Sequence, residues 1–116
     1  MLLGVPKETK IGEKRVALTP SLCRRVTALG AKVLIERGAG RDAGFHDDEY
    51  RKAGATVVAS AAKVWRSANL ILKVKEPLEN EYDLMPPGQA LFTYLHLAAG
   101  AKLARELCRR NILGIW

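Results

Sequence analysis

The chain has 116 residues, is 48% hydrophobic and 27% charged, and carries a formal charge of +7. That length supports one domain with a real core, and the composition is that of a globular chain rather than a disordered one. No apolar run approaches the ~20 residues that a membrane span needs, and the start of the chain lacks the basic-then-apolar order of a signal peptide.

The positive charge is spread over residues 7–15, 24–25, 73–75 and 102–110, and aromatics make up only 6%. A nucleic-acid surface concentrates its charge and adds stacking aromatics, so no nucleic-acid partner is expected. Cys23 and Cys108 are far apart and form no metal-type spacing; both fall in helical patterns and read as buried free thiols of a reducing cytosol. No metal site is expected.

In chain order, residues 2–5 read as a short buried strand closed by Pro6. A polar loop over residues 7–14 follows, ending on Glu13, Lys14 and Arg15. Thr19 before Pro20 is a helix start, a capping hydroxyl followed by a proline at the first helical position. Leu22, Val26 and Leu29 fall on one face of that helix, and Gly30 is its stop. Residues 32–36 form a second strand around Val33, Leu34 and Ile35. A second helix starts near His46 or Asp47, runs through Tyr50 and Ala53, and stops at Gly54; Asp47, Asp48 and Glu49 suit its N-terminus. Residues 56–59 are a third strand, and Ser60 caps a short helix carrying Val64 and Trp65.

The fourth strand, residues 69–75, is apolar over Leu70, Ile71 and Leu72 and then places Lys73 and Lys75 on one face before Pro77 stops the ladder. Lys75 thus falls at the carboxyl end of a central strand. Residues 79–85 make a helical turn, residues 90–95 a fifth strand, residues 101–110 a last helix burying Leu103 and Leu107, and residues 112–116 begin a sixth strand. Strands alternating with helices predict an α/β fold, a Rossmann-like (flavodoxin-like), mostly parallel sheet with helices on both faces in three layers.

Ligands of such sheets bind beyond the carboxyl ends of the strands. Three residues with chemistry fall there: Arg15 in the loop after strand one, Lys75 ending strand four and His96 ending strand five. A guanidinium takes a carboxylate bidentately, an ammonium donates to a carbonyl oxygen that gains charge, and an imidazole moves protons near neutral pH. The trio suits a small 2-oxo acid. The run Gly38-Ala39-Gly40-Arg41-Asp42-Ala43-Gly44 follows a strand as a dinucleotide fingerprint does. Its third glycine is one position late, however, and the next helix opens on three acids that would repel a pyrophosphate. It is read as a flexible turn, which leaves no cofactor cradle in the chain.

Gly4-Val5-Pro6-Lys7-Glu8 and Glu13-Lys14-Arg15-Val16-Ala17-Leu18-Thr19-Pro20 resemble the opening signature of alanine dehydrogenases and the related proton-translocating transhydrogenases. The resemblance continues in register through Glu36-Arg37-Gly38-Ala39-Gly40, Ala53-Gly54-Ala55, Lys73-Val74-Lys75-Glu76-Pro77 and Phe92-Thr93-Tyr94-Leu95-His96-Leu97-Ala98. The last two blocks are similar to alanine dehydrogenase rather than to transhydrogenase, which tends to lack the histidine.

The resemblance implies that Arg15 and Lys75 bind pyruvate or L-alanine, that His96 is the catalytic acid/base, and that the activity is NAD-dependent interconversion of L-alanine with pyruvate and ammonia. It also implies two Rossmann-like domains in a cytoplasmic homohexamer with no membrane partner. Residues 1–116 then correspond to the N-terminal part of the substrate domain. The NAD-binding domain lies beyond them, and the 116 residues alone are not expected to transfer hydride. Two other readings remain at this point, the N-terminal domain of a transhydrogenase alpha subunit and a non-catalytic carboxylate-binding module.

Overall fold

The computed structural model describes residues 1–93 and, as a strand, Leu113–Ile115. The expected helix over 101–110, the end of the fifth strand, His96 and Cys108 lie outside the described residues.

Strand β1 is Leu2–Val5. Helix α1, Pro20–Ala28, is capped as its sequence dictates, with the Thr19 hydroxyl accepting from the Leu22 N–H. Strand β2 is Lys32–Glu36 and helix α2 is Asp47–Lys52, where the Glu49 carboxylate reaches back to the His46 N–H. Strand β3 is Thr56–Val58 and helix α3 is Ala61–Ser67, capped by Ser60. Strand β4 is Leu70–Leu72, helix α4 the single turn Glu79–Tyr82, and strands β5 and β6 are Ala90–Phe92 and Leu113–Ile115.

All pairings are parallel, in the order β3-β2-β1-β4-β5-β6. This is the doubly wound Rossmann order. The chain leaves β1 toward β2 and leaves β4 toward β5, so a crevice opens between their carboxyl ends.

The sheet is covered on two faces. Leu3 and Val5 of β1 and Val33 and Ile35 of β2 pack with Cys23 of α1 and Tyr50 of α2. Gly4, between Leu3 and Val5, faces the other way. A Cβ built on it would come within 2.6 Å of Ala68 Cβ and 3.0 Å of Val64 Cγ1, so glycine is what lets α3 lie this close to β1. Val64 and Trp65 of α3 share that second core with Ile71, Met85 and Leu91. The Gln89 amide closes it, donating to the carbonyls of Trp65 and Ala68 at the end of α3.

Helix α1 turns a different face inward from the one its leucines suggest. Leu22 is 45% exposed and Leu29 87% exposed, while Cys23 is fully buried. The inner stripe is Pro20, Cys23 and Thr27, with Val26 of the expected face packed against the core beside it, and the Thr27 hydroxyl donates to the Ala53 carbonyl at 2.8 Å. Leu22 sits one residue, about 100°, away from that stripe, and Leu29 is the C-cap, outside the helix.

The turn after β2 is firmer than a flexible loop. The Gly38 N–H donates to the Asp47 carboxylate at 2.9 Å, and a Cβ on Gly40 would meet the Tyr50 ring at 2.7 Å. Tyr50 itself donates to the Leu18 carbonyl at 2.7 Å. The glycine at position 40 is required by a buried ring, and the N–H that would cradle a phosphate already serves a carboxylate of the same chain. This turn therefore does not fit a dinucleotide.

Candidate functional site

The crevice between β1 and β4 is walled by two loops, residues 6–18 and 73–78. Strand β4 ends earlier than its apolar pattern and Pro77 suggest, at Leu72, with one further ladder bond from the Lys73 N–H to the Phe92 carbonyl. The N–H groups of Val74 and Lys75, which a longer strand would give to a neighbour, go instead to the carboxylate of Glu8 from the first loop, at 2.9 and 3.2 Å. Lys75 thus lies past the strand rather than on it, held by a side chain 67 residues away in sequence.

The two lysines that share a face in the strand reading have separate fates. The Lys73 side chain is only 1% exposed, and its ammonium lies 3.1 Å from Glu8 Oε1 and 3.2 Å from Glu81 Oε2. Glu81 also accepts the Leu78 N–H, which caps α4. Burial pushes the Glu81 carboxyl up from its ordinary value, against the pull of the Lys73 charge and the Leu78 N–H. A second tie between the loops joins Lys10 to Glu76 at 2.6 Å.

Lys75 opens into a cleft of about 460 Å³ lined by residues 10–15 and Lys75 itself. Four of these side chains, Lys10, Lys14, Arg15 and Lys75, are cationic and one, Glu13, is anionic. Glu13 grips Arg15 through two side-chain hydrogen bonds, Nε to Oε2 at 3.0 Å and Nη2 to Oε1 at 2.9 Å, and also accepts the Arg15 N–H. The Arg15 guanidinium, helped by the Lys75 charge, holds the Glu13 carboxyl down to about 2. The cleft is thus a cationic pocket that already holds one carboxylate of its own, the chemistry of a site for a small organic anion.

Of the three residues expected at the carboxyl edge, Arg15 and Lys75 share this cleft, and His96 lies outside the described residues. Glu8, Glu13 and Glu81 escaped the sequence reading. The signal for Glu8 and Glu13 was their placement in the first loop beside the cations. Glu13 pairs with Arg15 two positions away, but the partners of Glu8 become visible only once β1 and β4 are neighbours. Among the described residues no group of three His, Cys, Asp or Glu side chains could hold a metal ion, and no helix is long and apolar enough to cross a membrane.

A family model described as alanine dehydrogenase/PNT, N-terminal domain, matches residues 4–115. An alanine dehydrogenase of Methanococcus maripaludis is 49% identical over 115 residues, covering 99% of this chain and 31% of that protein. The alanine dehydrogenase of Bacillus subtilis is 46% identical over the same share of this chain and 30% of its own. Among solved structures, an L-alanine dehydrogenase superposes with a TM-score of 0.96 at 51% identity, over 99% of this chain and 32% of the other. A transhydrogenase from Sinorhizobium meliloti superposes with a TM-score of 0.90 at 26% identity, over 98% of this chain and 32% of the other. The chain therefore spans about a third of the length of the relatives it matches, and it belongs to the alanine dehydrogenase/PNT N-terminal domain family.

Proposed function

We propose that this chain forms the substrate-binding part of an NAD-dependent alanine dehydrogenase, which interconverts L-alanine with pyruvate and ammonia in the cytoplasm as a homohexamer. The observation that carries the reading is the juxtaposition of Arg15 and Lys75 in one cationic cleft at the β1/β4 crevice. The whole-chain identity of 46–49% to two alanine dehydrogenases supports it over the transhydrogenase, whose identity is 26%.

In this reading the Arg15 guanidinium takes the substrate carboxylate that Glu13 now occupies. The Lys75 ammonium donates to the 2-oxo oxygen, and its hydrogen bond strengthens as that oxygen gains charge. His96 supplies and removes the proton at that oxygen and at the nitrogen that replaces it. NAD is held by a part of the dehydrogenase outside these residues, since the glycine turn at residues 38–44 is filled by Asp47 and Tyr50.

The test is steady-state kinetics of the dehydrogenase that carries this chain. Arg15→Ala is expected to raise the KM for pyruvate with kcat little changed, because a carboxylate clamp binds ground and transition states alike. Lys75→Ala is expected to lower kcat more than it raises KM. His96→Ala is expected to lower kcat by ~10²–10⁴-fold and to remove one limb of the pH–rate profile. A wild-type profile and near-normal kcat in His96→Ala would show that the histidine is structural.

A further inference from the structure

We propose that Glu8 is the positioning residue of Lys75, a buried carboxylate whose task is to set the backbone that carries the substrate-facing lysine. The proposal rests on the reading of Lys75 given above.

Three donors converge on this one carboxylate. Oε1 takes the Lys73 ammonium at 3.1 Å and the Lys75 N–H at 3.2 Å, and Oε2 takes the Val74 N–H at 2.9 Å. The Glu8 side chain is 4% exposed. Two of the three bonds go to the main chain at and just before Lys75, so the carboxylate grips the segment from which that side chain springs. The third bond explains how the carboxylate can be buried there at all. Lys73, equally buried, supplies the positive charge, and Glu81 holds that ammonium from its other side.

The geometry also explains why β4 stops at Leu72. In a continued parallel strand the N–H groups of Val74 and Lys75 would point to opposite edges and extend the ladders toward β1 and β5. Glu8 diverts them, and the main chain turns away from the sheet with Lys75 at the rim of the cleft that Arg15 lines. Glu8 comes from the same loop as Arg15, seven positions earlier. One loop therefore carries the guanidinium and fixes the segment that carries the ammonium. The spacing of the two cations depends on the contacts between the loops, and those of Glu8 are the ones made at Lys75 itself, the Lys10–Glu76 pair lying one residue beyond it. A substrate bound by both cations requires that spacing to be held to a fraction of an ångström.

A role confined to stability and a role in positioning differ in the kinetics of a double-mutant cycle. In the full-length dehydrogenase, Glu8→Gln removes the charge and one acceptor oxygen, while Glu8→Asp keeps the charge beside Lys73 and withdraws the carboxylate by one methylene from the Val74 and Lys75 N–H groups. Each is combined with Lys75→Ala, and kcat and KM for pyruvate are measured at a temperature where every variant is folded, as checked by its melting curve. The expected result is a loss of kcat on the order of 10²-fold for Glu8→Gln, as for a displaced catalytic group, and a smaller loss for Glu8→Asp. The same Glu8 changes should cost less than threefold once Lys75 is already alanine, because there is then nothing left to position. If Glu8→Gln does not fold, the cycle is read on Glu8→Asp alone. An unchanged kcat in folded Glu8 variants overturns the proposal, as does a loss of equal factor in the presence and absence of Lys75. An inert Lys75→Ala overturns the underlying reading of the cleft and the proposal with it. A damaging Lys75→Ala with additive Glu8 variants overturns the proposal alone.

Discussion

Lys73 and Lys75 are two residues apart, yet one is sealed in a buried ion cluster and the other opens into a cleft. The cluster of Lys73, Glu8 and Glu81 has side chains 1–4% exposed. The cleft pairs Lys75 with Arg15, whose side chain is 69% exposed, and holds the carboxylate of Glu13. The same kinds of charged group thus do two different things. Where water is excluded, ions hold two loops together. Where water has access, the arginine stays exposed while it holds the carboxylate of its own loop. The difference lies in desolvation, which makes a buried ion dependent on its partner and leaves an exposed one nearly indifferent.

The sharpest break of this contrast is Lys73→Met. It strands Glu8 and Glu81 in a buried site without their counter-ion, and unfolding by denaturant should show a loss of about 3–5 kcal/mol, the cost of breaking one side of a buried pair. Lys75→Ala should do the reverse. Its stability should change by no more than about 0.5 kcal/mol, as for an ordinary surface substitution, while kcat of the full dehydrogenase falls by ~10²–10³-fold if Lys75 acts as a donor to a developing oxyanion. Equal stability losses in the two variants would erase the distinction between cluster and cleft.

The two regions should also answer pH with opposite signs. Glu13 sits at about 2 in the folded chain, below the ordinary carboxylate value of 4.5. It binds protons more weakly folded than unfolded, so its contribution to stability is present above about 4.5 and is lost as pH falls toward 2. Glu81 is raised by burial, so the folded chain holds that proton more tightly. Its contribution favours folding below the unfolded value and is lost as pH rises through the raised one. Carboxyl-carbon NMR titration should resolve the two residues on opposite sides of the ordinary range; coincident titrations would contradict both environments. The smallest expected effect is that of salt. The Arg15–Glu13 pair, with its exposed arginine, should contribute about 0.2–1 kcal/mol at low ionic strength and less at 1 M salt. The destabilisation caused by Lys73→Met should be nearly insensitive to salt.

Much of this organisation was legible in the chain because it depends on neighbours in sequence. Thr19 before Pro20, Ser60 before α3, and Asp47 to Glu49 opening α2 mark helix starts through local hydrogen bonds and charge. Gly30 and Gly54, both at φ 98°, stand where α1 and α2 stop. The placing of Lys75 at the carboxyl edge of an apolar strand, and of Arg15 in the loop after β1, followed from the same local pattern, though the strand itself stops at Leu72. The inner face of α1 was not legible in this way, because Leu22 and Leu29 have the right period and Cys23 is the residue that meets Ala53.

What the sequence by itself determined is the set of elements, their alternation and the family signature. Their causes are caps, turn residues and apolar runs that act within a few residues. Only the tertiary structure decided that β1 and β4 lie side by side, and the contacts between the two loops of the site follow from that adjacency, whereas the Glu13–Arg15 pair is local to one loop. The Glu8–Lys73, Glu8–Lys75 and Lys10–Glu76 contacts span 65 to 67 positions. No local pattern encodes them, because one lysine reads like another along the chain until burial decides which must pair and which opens into a cleft.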